Sequence, residues 1–390
     1  MKINTKKFIR NILICVVAWL AVSYILNYAP GFKRDKFKDV INLIINDKNI
    51  TEELKENIVF SDETLGIYLS FDDIKNIFDK NIYYDKDEDL IVTTSNTKIA
   101  SFKLNDNKMS INGVEKIMDA VAFKNEDIIY IPITELNVVY NIYEHLISNA
   151  DGTRVLVIDE LNSGFIKATV TGESVIKYKP RLLSKSIGKT TIGEEVACFY
   201  TTSKGWRLIR TESGILGYVK ANKLDNEYIV RQDYNDEIKT AEITTSLKDG
   251  ITLSLYNNEE STKIIIKTLF NLKENGTLVI NEDLNEEDYT VWATISNKGL
   301  EDYTNEQIKK YDTRTELINT ILGYISKYKL KGVNIDFNNV TNSSDFCRFI
   351  IELTPRLRDL GLTTNVVLNK SFEEKNIVGI VDYLITEKEQ

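Results

Sequence analysis

The chain reads as multidomain: an N-terminal transmembrane helix, an α+β stalk domain, a small all-β barrel and a C-terminal partial (β/α)8 barrel. Three observations predict this. Ile12 to Leu26, ILICVVAWLAVSYIL, contains no charge. Residues 58 to 226 run as short strand-like stretches separated by turn signals. From residue 238 strand-like and helical stretches alternate, and a barrel of parallel, buried strands is the natural solution.

Ile12 to Leu26 follows Lys2, Lys6, Lys7 and Arg10 and precedes Lys33, Arg34, Lys36 and Lys38. With Asn27 and Tyr28 it reaches about 17 residues, the short end of a membrane span. Trp19, Tyr24 and Tyr28 suit an interface. A cleaved signal peptide is the rival, but no A-x-A site is present and Pro30 follows Ala29. The expectation is an uncleaved signal-anchor over residues 1–30, then a linker over 31–57 with an amphipathic helix from Phe32 to Asp47.

Residues 58–150 form the expected stalk. TLGIYLSFDDIKNIF gives a strand, then Ser70 as N-cap of a helix from Phe71 to Phe78. Strand-like runs follow, separated by Asp85-Lys86-Asp87, Asn105-Asp106-Asn107 and Asn112-Gly113. Residues 160–226 read as about five short strands closing a small barrel. In it Trp206 packs a hairpin and glycines permit turns that other residues would strain. Asn226 to Lys239 is polar and acidic, a linker.

The C-terminal stretch, 238–390, is then read element by element. GITLSLYNN is a strand, STKIIIKTLFNLK a helix, and GTLVI and YTVWATISNK are strands. TRTELINTILGYISKYKL is an amphipathic helix with apolar Leu317, Ile318, Ile321, Leu322 and Ile325. KGVNIDF is a strand in which Val333, Ile335 and Phe337 alternate with Asn334, Asp336 and Asn338. SSDFCRFIIELTPRLRDLG is a helix closed by Gly361, and LTTNVVLN and VDYLIT are strands.

Composition excludes several function classes. The 390-residue chain has a formal net charge of −9, which argues against a general nucleic-acid binder. Cys15, Cys198 and Cys347 are scattered, with no CxxC and no metal or disulfide spacing, and read as small buried hydrophobes. The single histidine, His145, cannot build a multi-His metal site and reads as an ordinary surface or inter-domain residue. No cofactor and no metal are expected.

Three family resemblances sharpen the reading. The order of elements from about Val59 to Ile147, and IIYIPITEL in particular, resembles the N-terminal domain first described in copper amine oxidases. That implies a stalk or binding module and no copper. Gly205-Trp206-Arg207, Ser213-Gly214 and Gly217-Tyr218-Val219 resemble the ending of bacterial Src-homology-3-like domains, which implies Trp206 and Tyr218 as wall-ligand contacts or as core residues. VWATISNK, YISKYKLKGVNIDFNNV, FIIELTPRLRDLGLTTNVVL and IVGIVDYLI resemble family 18 glycoside hydrolases, in particular the spore-cortex and cell-wall branch.

Laid on the family motif DGxDxDxE, the first acid falls on Lys331, the glycine on Gly332, the second acid on Asn334 and the third on Asp336. The final Glu falls on Asn338. The resemblance implies substrate-assisted cleavage, in which the substrate's N-acetyl oxygen attacks the anomeric carbon. Asp336 would orient that acetamido group, and the residue at 338 would protonate the bridging oxygen. An amide does not titrate at a useful pH, so Asn338 makes catalysis doubtful. Asn334, Asn339 and Trp292 are the further expected substrate contacts. The family's Met-x-Tyr aligns with Glu387, Lys388 and Glu389, and 238–390 is short of the roughly 250 residues of a full barrel, leaving about two βα units unaccounted for.

The resulting expectation is a membrane-anchored cell-envelope protein, its bulk extracytoplasmic, that recognises N-acetylglucosamine-containing glycans such as peptidoglycan or chitin with impaired catalysis. An active N-acetylglucosaminidase and a non-enzymatic envelope assembly protein are the alternatives. The expected partners are an N-acetylated glycan and a membrane, with no nucleic acid; the oligomeric state is left open.

Overall fold

The computed structural model describes residues 15–21, 40–150, 152–161, 166–203, 205–229, 241–245, 251–253, 262–273, 278–280, 290–326, 330–368 and 377–387. No helix among them is long and apolar enough to cross a membrane. This corrects the expected transmembrane helix and, with it, the single-pass placement at a cell membrane. Residues 15–21 are helical, a length of about 10 Å at 1.5 Å per residue against a hydrocarbon core of about 30 Å. The remainder of the expected span lies outside the described residues.

The chain divides into two units, Met1–Asp73 with Ala122–Asn235, and Ile74–Val121 with Asp236–Gln390. In the first, a four-stranded sheet has the order Ile142–Ser148, Arg154–Glu160, Ile41–Ile45, Lys48–Asn49. Ile41–Ile45 corrects the helix expected over 32–47; residues 32–39 lie outside the described residues. The strand wins because Ile41, Leu43 and Ile44 are buried in parallel register with Arg154–Ile158, a pairing more than a hundred residues away that no local pattern reveals. A second sheet runs Phe123–Asn125, Ile128–Pro132, Ile67–Ser70, Val59–Phe60. Ser70 caps the helix Phe71–Ile77 as expected: its hydroxyl accepts from the Asp73 backbone N–H at 3.0 Å.

Seven antiparallel strands complete this unit, in the order Ser186–Thr190, Ser174–Lys177, Leu216–Lys220, Trp206–Arg210, Glu195–Ser203, Ile166–Val170, Leu224–Ile229. Val170, Ile176, Val196, Cys198, Ile209 and Val219 fill their core. Gly217 is required by packing: a Cβ there would lie 2.6 Å from Ile176 Cγ2 and 2.8 Å from the Lys177 carbonyl oxygen. Arg210 donates to both oxygens of Asp159 at 2.9 and 2.8 Å, with both side chains buried. This is a bidentate pair between two sheets of the unit.

The second unit holds a five-stranded meander, Tyr83–Asp85, Leu90–Thr94, Ile99–Lys103, Lys108–Ile111, Val114–Ile117, and an eight-stranded sheet. That sheet runs Ala241–Thr245, Tyr383–Glu387, Thr363–Val367, Gly332–Asp336, Thr290–Ser296, Thr262–Leu272, Ile251–Leu253, with Leu278–Ile280 added beside Thr262–Leu272. Its first six strands are parallel. Helices Glu301–Lys309, Tyr311–Ile325 and Ser343–Asp359 contribute Ile308, Leu317, Ile321, Phe346, Phe349 and Leu353 to a core shared with the strands, making a half-barrel. Thr262–Leu272 corrects the helix expected over 261–273. Three consecutive isoleucines fit a pleat better than a helix, and pairing on both edges outweighs the ambiguous period. Ser343–Asp359 starts and stops where its caps predict. Asn342 accepts from the Ser344 N–H at 3.0 Å, and Gly361 turns the chain at φ +74°.

Candidate functional site

The strand Gly332–Asp336 has two faces. Val333, Ile335 and, just beyond it, Phe337 enter the core, where Phe337 stacks on Phe349 at 5.5 Å. Gly332, Asn334 and Asp336 take the other face, in register with Trp292, Thr294 and Ser296 on one side. Thr363 and Asn365 lie opposite Gly332 and Asn334 on the other side.

At the foot of this face Trp292 is 2 % exposed and packs against Tyr383, ring centres 5.0 Å apart. Gly332 makes room for it, since a Cβ there would meet Trp292 Cδ1 at 2.8 Å and Thr363 Oγ1 at 2.4 Å. Trp292 is therefore level with Gly332, four residues and roughly 13 Å along the strand from Asp336. The structure does not bring these two expected contact residues together. Burial, and to a lesser degree the Asp382 charge, hold the Tyr383 phenol above its ordinary pKa, so it stays a donor.

In the middle of the face lies a fully buried polar rung. Asn365 Nδ2 donates to Asn334 Oδ1 at 2.8 Å, and Asn334 Nδ2 donates to Thr294 Oγ1 at 3.2 Å. Asn365 Oδ1 remains buried without a partner. Asn334 is thus committed to neighbouring strands. Thr294 and Asn365 are residues that sequence reading missed; only parallel register places them beside Asn334.

At the C-terminal end Asp336 and Asn338 meet, both half-buried, with Asn338 Nδ2 donating to Asp336 Oδ1 at 3.1 Å. The turn that carries Asn338 is fixed by two asparagines that sequence reading also missed. Asn297, buried, accepts from the Asn338 backbone N–H at 2.8 Å and donates to its carbonyl at 3.1 Å. Asn305 donates to the Asn339 carbonyl at 2.9 Å and accepts from the Thr341 N–H at 3.0 Å. Asn339 is exposed in the left-handed region, φ +55°, where asparagine is better tolerated than most residues. The side chain of Glu387, and residues 388–390, lie outside the described residues.

This end of the strand can accept hydrogen bonds at a carboxylate and both donate and accept at a carboxamide. Asn338 cannot deliver a proton. In the other unit, Trp206 is 6 % exposed, with Lys220 Nζ 4.2 Å from its ring centre. Tyr218 is half-buried and packs with Phe199 and Leu208. Register puts Trp206 opposite Lys220 and Leu208 opposite Tyr218, on one face of adjacent strands.

Residues 44–145 match the family model described as the copper amine oxidase N-terminal domain. No curated protein matches the chain. Among solved structures it is similar to a chitinase from Chromobacterium violaceum, at 16 % identity over 32 % of this chain and 47 % of that one, TM-score 0.28. It is also similar to the spore cortex-lytic enzyme SleL of Bacillus cereus, at 18 % identity over 41 % and 43 %, TM-score 0.28. The SleL enzyme of Bacillus megaterium QM B1551 gives 14 % identity over 41 % and 44 %, TM-score 0.30. The chain spans under half the length of each of these three structures.

Proposed function

We propose that the half-barrel binds N-acetylated glycans, peptidoglycan or chitin-like, and holds them without hydrolysing them. The observation that carries this reading is the Asn338–Asp336 hydrogen bond of 3.1 Å at the C-terminal end of the strand Gly332–Asp336, where the family 18 motif has its proton donor. Asp336 supplies the acceptor for an acetamido N–H; Asn338 holds one of its oxygens and offers the glycan a carboxamide. General acid–base catalysis is worth about 10²–10⁴-fold in rate, and no group at position 338 supplies it. The Src-homology-3-like resemblance of 160–226, with Trp206 and Tyr218, supports a second wall contact from the other unit.

The test incubates the full chain with peptidoglycan and with chitooligosaccharide, following bound glycan and new reducing ends separately. Binding without reducing ends, lost in Asp336→Ala, is the expected result. Reducing ends that persist in Asn338→Ala and vanish in Asp336→Ala would make the protein a hydrolase with another acid. Binding that is unchanged in Asp336→Ala but lost in Trp206→Ala would move glycan recognition to the small barrel.

A further inference from the structure

Glu352, in the helix Ser343–Asp359, is 1 % exposed, and Arg314, in the helix Tyr311–Ile325, is 0 % exposed. Arg314 Nε donates to Glu352 Oε1 at 2.7 Å, and its Nη1 donates to the Ile308 and Lys309 carbonyls, both at 3.0 Å. The third member comes from the meander: Tyr83 donates its hydroxyl to the same Glu352 oxygen at 2.5 Å and accepts from Arg314 Nη2 at 3.1 Å. Glu352 Oε2 is left buried with no partner. Glu352 also lines a cavity of about 30 Å³ with Arg356, Tyr311, Thr315, Ser110 and Gly113. That space is enough for one water.

We propose that Glu352 is a proton-controlled latch that sets how firmly the meander of residues 83–117 is held against the helices Tyr311–Ile325 and Ser343–Asp359. Among the described residues, the Tyr83 contact joins the meander to two helical side chains, Glu352 and Arg314, that are both fully buried. Beside it, Arg348 donates to Asp85 at 2.9 Å and Tyr311 hydrogen-bonds Ser101 at 2.8 Å. Desolvation by burial pushes the Glu352 carboxyl up to about 7; Arg314, Tyr83 and Arg348 pull the other way. Arg356 lines the same cavity, Asp345 lies on the same helix, and from the meander the Glu88 carboxylate accepts from the Tyr311 backbone N–H at 3.1 Å. Burial and the Glu352 charge hold the Tyr83 phenol far above its ordinary range, so it stays a donor throughout.

A carboxyl raised on docking stabilises the docked state most below its ordinary pKa, and that stabilisation is lost as pH rises through the raised value. Docking is therefore firmer near pH 5.5 than at pH 8. Amide hydrogen exchange on the full chain, corrected for intrinsic rates, tests this. Protection in residues 83–94 is expected to fall on the order of tenfold between those pH values. Glu352→Gln, which carries no proton to lose, flattens the dependence, and Tyr83→Phe, which removes a donor to the carboxylate, moves its midpoint upward. Because Glu352→Gln leaves Arg314 uncompensated and can unfold the unit, the wild-type carboxyl is also titrated by ¹³C NMR. A Glu352 midpoint near 7 supports the latch. A midpoint below 5, or the same pH dependence in Glu352→Gln, overturns it.

Discussion

A carboxamide and a carboxylate have nearly the same shape, but only one of them can hand over a proton. Alternation along KGVNIDFNNV places Asn334, Asp336 and Asn338 on one side of a strand, while the reading of position 338 as a proton donor's place is what the family 18 resemblance implies. What Asn334 does there was not legible. It reads as a sugar contact, yet its side chain is used on Asn365 and Thr294, partners supplied by two other strands. Trp292 similarly reads as a substrate contact and is found packed on Tyr383 at the other end of that face. The rung makes a prediction at this scale. Asn334→Ala strands the buried Asn365 amide and the Thr294 hydroxyl, costing about 1–3 kcal/mol. Chemical denaturation of the two proteins measures it, and a change under about 0.5 kcal/mol shows that the rung contributes no more than a surface residue.

Two helix ends were legible from their own residues. Ser70 and Gly361 mark a helix start and a helix stop because the signal sits in the residue itself. Ile41–Ile45 and Thr262–Leu272 carry no such marks, and their strand character rests on distant partners. The turn at 338–341 belongs to the same class, since Asn297 and Asn305 shape it from another part of the chain. Asn297→Ala frees the Asn338 backbone while leaving the apolar core whole. Glycan affinity is expected to drop by roughly tenfold, about 1.4 kcal/mol, with little change in melting temperature. Titration calorimetry and a thermal melt on the same sample separate the two effects. Between sheets of the first unit, Arg210→Ala removes the guanidinium that makes two hydrogen bonds to the buried Asp159 carboxylate, a loss of about 3–5 kcal/mol visible as a large fall in the denaturant midpoint.

At the scale of the molecule, chain order and spatial order part company. The stalk read from the sequence as one stretch contributes residues 74–121 to the unit that also holds 236–390. Leu90, Val92 and Ile99 of the meander pack with Tyr311 of the half-barrel helices. Residues 238–390 expressed alone should therefore aggregate or bind apolar dyes, exposing Arg314, Glu352 and the apolar side chains around Tyr311. Co-expression with residues 74–121 should restore a soluble complex; a well-folded, monomeric 238–390 would contradict that dependence.

The central claim, a glycan site without its acid, is tested most directly by Asn338→Glu assayed for reducing ends on peptidoglycan and chitooligosaccharide beside the unaltered protein. The account predicts no product from the unaltered protein and slow, Asp336-dependent product from Asn338→Glu. Product from the unaltered protein at a rate that Asn338→Glu does not raise would contradict it.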